Sequence, residues 1–308
     1  MKLRSKDLLG LYHLGADEIN YILETAKDMK KIVLSSMKKV NYLQGRSVVS
    51  LFYENSTRTR VSFELAAKYM GAQAVNVSVN SSSVAKGETL IDTGKTLDAM
   101  GTDIVIMRHN QSGAPNLLAK NIKASVINAG DGMHEHPTQA LLDMLTMTEE
   151  FGSLKGLKVA IIGDIYHSRV ARSNIIGLNK MGAKVQIYAP STLMPVGIEE
   201  LGVKICPTIE DATKDCDVVM ALRIQLERQK NALFPTSNEY SKFFGLNPDN
   251  IKGTKKNVLF MHPGPVNRGL EMTSSLIDAD NSVINKQVTN GVAVRMALLY
   301  LLIGRDEL

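Results

Sequence analysis

The chain has 308 residues, 44% of them hydrophobic and 22% charged, and a formal net charge of +5 at pH 7. That length accommodates two domains, each with its own core, and the composition excludes a disordered or collagen-like chain. The basic excess is dispersed among acids, without a long basic run or interleaved aromatics, so an anionic small substrate accounts for it as well as a nucleic acid does.

Cys206 and Cys216 form no CxxC or zinc pattern, which points to free thiols in a reducing compartment. Residues 1–7 carry no apolar signal core, and no apolar run approaches the roughly 20 residues needed to span a bilayer. The expectation is a cytoplasmic protein without membrane or nucleic-acid partners.

The first helix is announced by Gly15 at its N-cap, Glu18 three residues on, and Ile19, Ile22, Leu23, Ala26 and Met29 along one face. Residues 48–53 read as a buried parallel strand, and Val61, Leu65 and Tyr69 follow at helical spacing. Further β-branched runs at 74–79, 103–107 and 125–128 predict strands, each followed by a helical pattern. Pro137 is placed as the first residue of a helix over 138–149 that joins the domains. The second half repeats the style, with strands at 159–162, 185–188, 218–221 and 258–261. This βα alternation predicts two parallel-sheet α/β domains, with ligands beyond the carboxyl ends of the strands.

Those ends are rich in functional groups. Between the strand at 48–53 and its helix lies Ser56-Thr57-Arg58-Thr59-Arg60. A helix N-terminus has unpartnered N–H groups and a positive dipole, hydroxyls cap and donate there, and guanidinium forks suit phosphate. By itself the pentapeptide reads either as a phosphate site or as a capped helix with solvated arginines. Ser81, Ser82, Ser83 and Lys86 follow 74–79; Arg108 and His109 follow 103–107; residues 130–137 follow 125–128 and carry His134, Glu135 and His136. In the second half, Arg169, then Arg223 with Gln225, then His262-Pro263-Gly264-Pro265 follow successive strands.

Taken alone, Arg108 and Lys86 read first as solvated surface residues. An imidazole at the start of a helix is disfavoured as a cation, so His136 is expected to be neutral and to donate one N–H, suited to polarising a carbonyl. His134 and His136 are two apart in a loop, whereas zincin ligands stand four apart on a helix, so a metal is not expected. Gly163 follows a strand as in a dinucleotide fingerprint, but the second and third glycines are missing, which removes the dehydrogenase reading.

In order along essentially the whole chain, Ser56-Thr57-Arg58-Thr59-Arg60, Lys86-Gly87-Glu88-Thr89, Arg108-His109, His136-Pro137-Thr138-Gln139 and His262-Pro263-Gly264-Pro265 resemble the motif set of the transcarbamoylase family, nearest its aspartate-specific members. The resemblance implies two domains, each a parallel β-sheet flanked by helices, joined by interdomain helices. Residues 1–140 with a C-terminal helix over 290–308 would bind carbamoyl phosphate, and residues 141–289 would bind L-aspartate. The implied reaction gives N-carbamoyl-L-aspartate and phosphate, a step of de novo pyrimidine biosynthesis, with no metal or organic cofactor.

By the same resemblance, Ser56, Thr57, Arg58 and Thr59 hold the phosphate, and Arg58 neutralises its growing charge as it leaves. Arg108, His136 and Thr59 grip the carbamoyl oxygen. Gln139 and the carbonyls of Pro263 and Gly264 hold the carbamoyl amine. Arg169, Arg223 and Gln225 receive aspartate, while Lys86 and a serine, Ser82 by counting back from Lys86, reach a neighbouring subunit's site. The implied catalytic set is Arg58, Thr59, Lys86, Arg108 and His136, and the implied assembly is a homotrimer with shared sites. A regulatory chain or another pathway enzyme is left open as a partner. Gly264 departs from the larger apolar residue of some relatives, though only a backbone carbonyl is asked of it. An ornithine carbamoyltransferase is the nearest rival; it should lack the lysine loop and carry Cys-Leu-Pro at the late strand end. A non-catalytic anion-binding scaffold subunit is the second, and the full cationic set opposes it.

Overall fold

The structure is a computed structural model that describes residues 2–78, 87–225 and 236–303. It divides into two compact units, the described residues of Met1–Leu145 with Thr289–Leu308 and those of Thr146–Val288. Both boundaries fall inside helices, α5 (Pro137–Phe151) and α10 (Ile284–Ile303).

The first unit begins with α1 (Ala16–Leu34). Gly15 is its N-cap, and the Glu18 carboxylate accepts the Gly15 N–H at 3.0 Å. The buried stripe of Ile19, Ile22, Leu23, Ala26 and Met29 follows the sequence spacing. Then come β1 (Ser47–Phe52), α2 (Thr57–Tyr69), β2 (Gln73–Ser78), α3 (Leu90–Ala99), β3 (Ile104–His109), α4 (Ala114–Ala119) and β4 (Ser125–Asp131). The strands pair in parallel in the order β2-β1-β3-β4. One face of the sheet packs Leu51, Val105, Met107 and Val126 on Leu118 and Ile122. The order reverses between β1 and β3, and a doubly wound sheet opens its crevice at that point, beyond the carboxyl ends.

The helix expected after the strand at 48–53 is formed as α2, on a buried face other than Val61, Leu65 and Tyr69, and the strand expected at 125–128 is longer. The helix after β1 buries Thr59, Phe63, Ala66 and Ala67, whereas Val61 is 46% exposed and Leu65 and Tyr69 are only half-buried. Both stripes have helical spacing. The one holding two alanines lets the backbone approach the sheet and seats a fully buried Phe63, which contributes about 1.5–3 kcal/mol. The strand expected at 125–128 runs on to Asp131, because a register irregularity between Met107 and His109 carries the pairing through Gly130 to the pair His109 and Asp131.

The second unit contains β5 (Lys158–Ile162), α6 (Arg169–Lys180), β6 (Lys184–Tyr188), β7 (Lys204–Ile205), α7 (Ile209–Thr213), β8 (Val218–Ala221), α8 (Ser237–Phe244), β9 (Leu259–Met261) and α9 (Ser274–Ile277). Its parallel order is β7-β6-β5-β8-β9, with the reversal between β5 and β8. β7 has two exposed residues, too few to show a period in the sequence. Cys206 and Cys216 are free and sit in the core with Ile162, Val219 and Phe260. Burial pushes the Cys216 thiol up to about 11 even though Gln186 donates to its Sγ at 3.0 Å, so its place is in packing rather than in thiolate chemistry. Among the described residues no helix is long and apolar enough to cross a membrane.

Candidate functional site

At the reversal point of the first sheet, β1 ends at Phe52 and four residues later Ser56 stands as the extended N-cap of α2. The Ser56 hydroxyl makes no capping hydrogen bond and the first turn carries no acid, so positive helix-end charge is not neutralised from within the helix. Thr57 and Arg58 are exposed in that turn, and Thr59 is buried. Arg60 turns away, its guanidinium 5.4 Å from the Phe52 ring centre.

Arg108 stands beside this turn because β3 is the neighbour of β1: it is in register with Phe52, and its carbonyl accepts the Tyr53 N–H at 2.8 Å. The guanidinium is bracketed. Its Nε lies 3.2 Å from Glu54 Oε2, and its Nη1 donates to the Ala129 carbonyl at 3.4 Å. The Arg108 and Glu54 side chains are only 15% and 19% exposed, so Glu54 aims a mostly buried cation. The sequence reading passed over Glu54. Its signal was present, a carboxylate two residues beyond a strand end. His109, with its ring centre 4.5 Å from that of Tyr53, accepts the Gln111 N–H at Nδ1; burial holds it below the usual imidazole range against the pull of Glu54 and Asp131.

The end of β4 is organised by Asp131, which is fully buried. It accepts from the Gly113 N–H at 2.7 Å, from Asn128 Nδ2 at 2.8 Å and from the Glu135 N–H at 3.1 Å, and lies 3.0 Å from His134 Nδ1. Burial pushes its carboxyl up, but these partners outweigh burial and leave it below the ordinary value. The turn so built delivers His136 to the start of α5, where Pro137 is the first residue as the sequence predicts. Glu135 faces the N-terminal segment, accepting the Leu11 N–H at 2.8 Å, and His134 is engaged by Asp131. Among the described residues no group of three or more His, Cys, Asp or Glu is arranged to hold a metal ion. His136 is buried, with Thr138 Oγ1 3.4 Å from its Nδ1, and its carbonyl accepts the Gln139 N–H at 3.0 Å. Ser56 to Thr59, Arg108, His136 and Gln139 therefore all belong to the carboxyl ends of β1, β3 and β4 and the helix turns that follow.

In the second unit β5 runs into Gly163. Its φ of +127° excludes other side chains, and an added Cβ would stand 3.1 Å from the Leu222 carbonyl oxygen. This close approach of two strand ends accounts for a glycine that begins a dinucleotide-like pattern and goes no further. The next residue, Asp164, is fully buried and accepts the His167 N–H at 3.1 Å and the Gln225 N–H at 3.3 Å; it also meets His167 Nδ1 at 2.9 Å. Ser168 caps α6 by accepting the Ala171 N–H, which leaves Arg169 as the buried first residue of that helix. Beyond β8, Arg223 is half-buried, and the following Ile224 N–H donates to Glu271 at 3.0 Å. Burial pushes the Glu271 carboxyl up despite that bond and those from Asn267.

Beyond β9, the His262 N–H donates to Gln287 and His262 Nδ1 accepts the Gly264 N–H at 2.8 Å, which places the proton of a neutral ring on Nε2. Gly264 has φ +67°, in the left-handed region, so glycine at this position relieves a strain that a larger apolar residue would carry. Arg169, Arg223, Gln225, Pro263 and Gly264 thus gather at the carboxyl ends of β5, β8 and β9. Asp164 had a sequence signal, directly after the strand-end glycine, whereas Glu271 had none. Ser82 and Lys86 lie outside the described residues.

Two family models account for the chain: the carbamoyl-P binding domain of aspartate/ornithine carbamoyltransferase over residues 6–149, and the Asp/Orn binding domain of the same family over residues 155–302. An aspartate carbamoyltransferase catalytic subunit of Acetivibrio thermocellus is 67% identical over 307 residues, covering 100% of this chain and 98% of its own. One of Ruminiclostridium cellulolyticum is 67% identical over 305 residues, covering 99% and 97%. Among solved structures, ornithine carbamoyltransferase from Pyrococcus furiosus superposes with a TM-score of 0.86 at 34% identity over 97% of each chain. Aspartate transcarbamoylase from Trypanosoma cruzi in complex with carbamoyl phosphate does so at 0.85 and 31%, over 97% and 96%. With two parallel sheets flanked by helices and both family domains matched in order, the chain belongs to the aspartate/ornithine carbamoyltransferase family.

Proposed function

We propose that this chain transfers the carbamoyl group of carbamoyl phosphate to the α-amine of L-aspartate, releasing N-carbamoyl-L-aspartate and phosphate in the pyrimidine pathway. One arrangement carries the proposal. An acid-free helix N-terminus with Ser56, Thr57, Arg58 and Thr59 adjoins, across the reversal point of a single sheet, an arginine that Glu54 aims. Aspartate as the acceptor is supported by relatives of 55–67% identity over nearly the whole chain that carry that name.

Carbamoyl phosphate enters with its phosphate at residues 56–59. Arg108, His136 and Thr59 polarise the carbonyl and hold the oxyanion when the carbon becomes tetrahedral, and Gln139 with the Pro263 and Gly264 carbonyls holds the amine. The neutral α-amine of aspartate, whose two carboxylates suit Arg169 and Arg223 with Gln225, attacks the carbon. The C–O bond to phosphate then breaks, Arg58 neutralises the leaving dianion, and the amine proton leaves with the phosphate. Orientation and preorganised cations do most of the work, since two anions must be held side by side. Residues 1–140 with the C-terminal helix form the carbamoyl phosphate domain in this proposal, and residues 141–289 the aspartate domain.

The proposed assembly is a homotrimer in which Ser82 and Lys86 complete a neighbour's site, and the proposed location is the cytoplasm, consistent with two free thiols. Product formation with carbamoyl phosphate and either aspartate or ornithine, offered separately, tests the proposal. Turnover with aspartate is expected; turnover with ornithine alone, or with neither, overturns it.

A further inference from the structure

We propose that Asp143 fixes which way round the Gln139 side-chain amide sits, and that Arg295 keeps Asp143 in the acceptor-only form this requires. The proposal rests on Gln139 holding the carbamoyl amine, as proposed above. Gln139 and Asp143 are four apart on α5, so their side chains lie on one face, and Gln139 Nε2 donates to Asp143 Oδ1 at 2.9 Å. A glutamine amide has two orientations that exchange donor for acceptor. An ionised carboxylate only accepts, so it selects the NH2 end and leaves Oε1 turned outward as an acceptor. An acceptor is what a carbamoyl NH2 group needs; the flipped amide would oppose donor to donor.

The selection holds only while Asp143 is ionised. Asp143 is fully buried, and a buried carboxyl without a cation takes up a proton, becoming a donor that would accept either face of the amide. Arg295 supplies the cation. It is buried against α2 and α5: its guanidinium is 5.0 Å from the Phe63 ring centre, and its Nη1 lies beside Gly291 of α10, where the side chain of Leu142, the neighbour of Asp143 on α5, also approaches. Burial pulls Arg295 down to about 10 against the upward pull of Asp143, which leaves it charged at pH 7. Neither residue appears in the catalytic or binding set read from the sequence. Both are positioning residues, acting through Gln139.

The test uses carbamoyl transfer by the full chain, with inorganic phosphate binding and thermal melting as checks on fold. Asp143→Ala alone strands a buried cation, so Asp143→Ala/Arg295→Met removes both charges together. The double variant is expected to fold and bind inorganic phosphate as the parent does, yet to lose kcat/KM by about 10- to 100-fold, the scale of one charge-assisted hydrogen bond. Asp143→Asn/Arg295→Met keeps the shape of the side chain but offers donor and acceptor alike, so it should lose about as much, which ties the loss to the acceptor-only charge and not to lost volume. In a Gln139→Ala background the same changes should add no further loss.

Parent-like turnover of Asp143→Ala/Arg295→Met or of the Asn version, additive losses in the Gln139→Ala background, or failure of both double variants to fold would each overturn the proposal. The underlying function fails differently: the parent chain itself would make no carbamoyl-aspartate, or Gln139→Ala would turn over normally.

Discussion

Glu54 and Arg108 meet at 3.2 Å although they lie on different strand ends, because parallel pairing sets Phe52 of β1 against Arg108 of β3. An arginine that would otherwise wave at a strand end is thereby held by a carboxylate on one side and the Ala129 carbonyl on the other. The guanidinium loses side-chain freedom before substrate arrives, which lowers the entropic cost of binding. Glu54 also subtracts one charge from the anion site next to it, so it trades affinity for aim.

Glu54→Gln separates these two effects. The variant leaves a mostly buried guanidinium without its counter-charge, and stability should fall by about 1–3 kcal/mol. Affinity for inorganic phosphate should rise, since the site has gained net positive charge, while carbamoyl transfer slows because Arg108 is no longer aimed. Urea melts with and without phosphate, together with kcat, measure all three. Parent-like stability with unchanged phosphate affinity would mean that the pair contributes nothing.

Arg58 sits in the first turn of α2, exposed and away from the buried face of Thr59, Phe63, Ala66 and Ala67. Arg58→Ala should therefore leave the melting temperature within a few degrees of the parent. Turnover should drop by roughly 100- to 1,000-fold, the scale seen when one preorganised donor to developing charge is lost. Arg60→Ala makes the control: its guanidinium rests on Phe52, so it should cost stability more than rate. Parent-like kcat in Arg58→Ala would remove Arg58 from the leaving-group role.

Local features were legible in the sequence. Gly15 with Glu18, the apolar runs of β1 and β8, and Pro137 at the head of α5 each announce themselves within a few residues, because capping and periodicity are short-range. The buried face of α2 was not, since two stripes had helical spacing and only the sheet decides which one is covered. Glu54 with Arg108, and Asp143 with Arg295, were invisible for a different reason. Each pair exists only through a particular strand order or helix packing, and nothing near either residue in sequence encodes its partner. Asp164 and Asp131 are intermediate: both stand at strand ends and accept a nearby N–H, from His167 and Glu135, but each also accepts one from a distant segment, Gln225 and Gly113, that no local signal names.

Asp131 gives the fold around His136 a measurable pH signature. Its partners hold the folded carboxyl below the ordinary value of 3.8, so the folded state binds this proton more weakly than the unfolded chain does. The contribution is complete above the unfolded value and is lost as pH falls through the lowered folded one. Glu271 works in the opposite sense: its folded carboxyl is raised, so it favours folding at low pH and gives that up as pH rises through its elevated value. The two overlap in a parent titration, and a variant difference separates them. Asp131→Asn should be about 2 kcal/mol less stable than the parent at pH 7, where the charge-assisted bonds from Gly113 and Asn128 are at stake. As pH falls below about 4 the gap should begin to narrow, and it should close once pH has passed through the lowered folded value, where the parent carboxyl is protonated as well. Urea denaturation from pH 7 down to pH 3 measures the gap directly, and a gap that stays constant across that range would show that the carboxylate charge of Asp131 does not support the turn leading to His136.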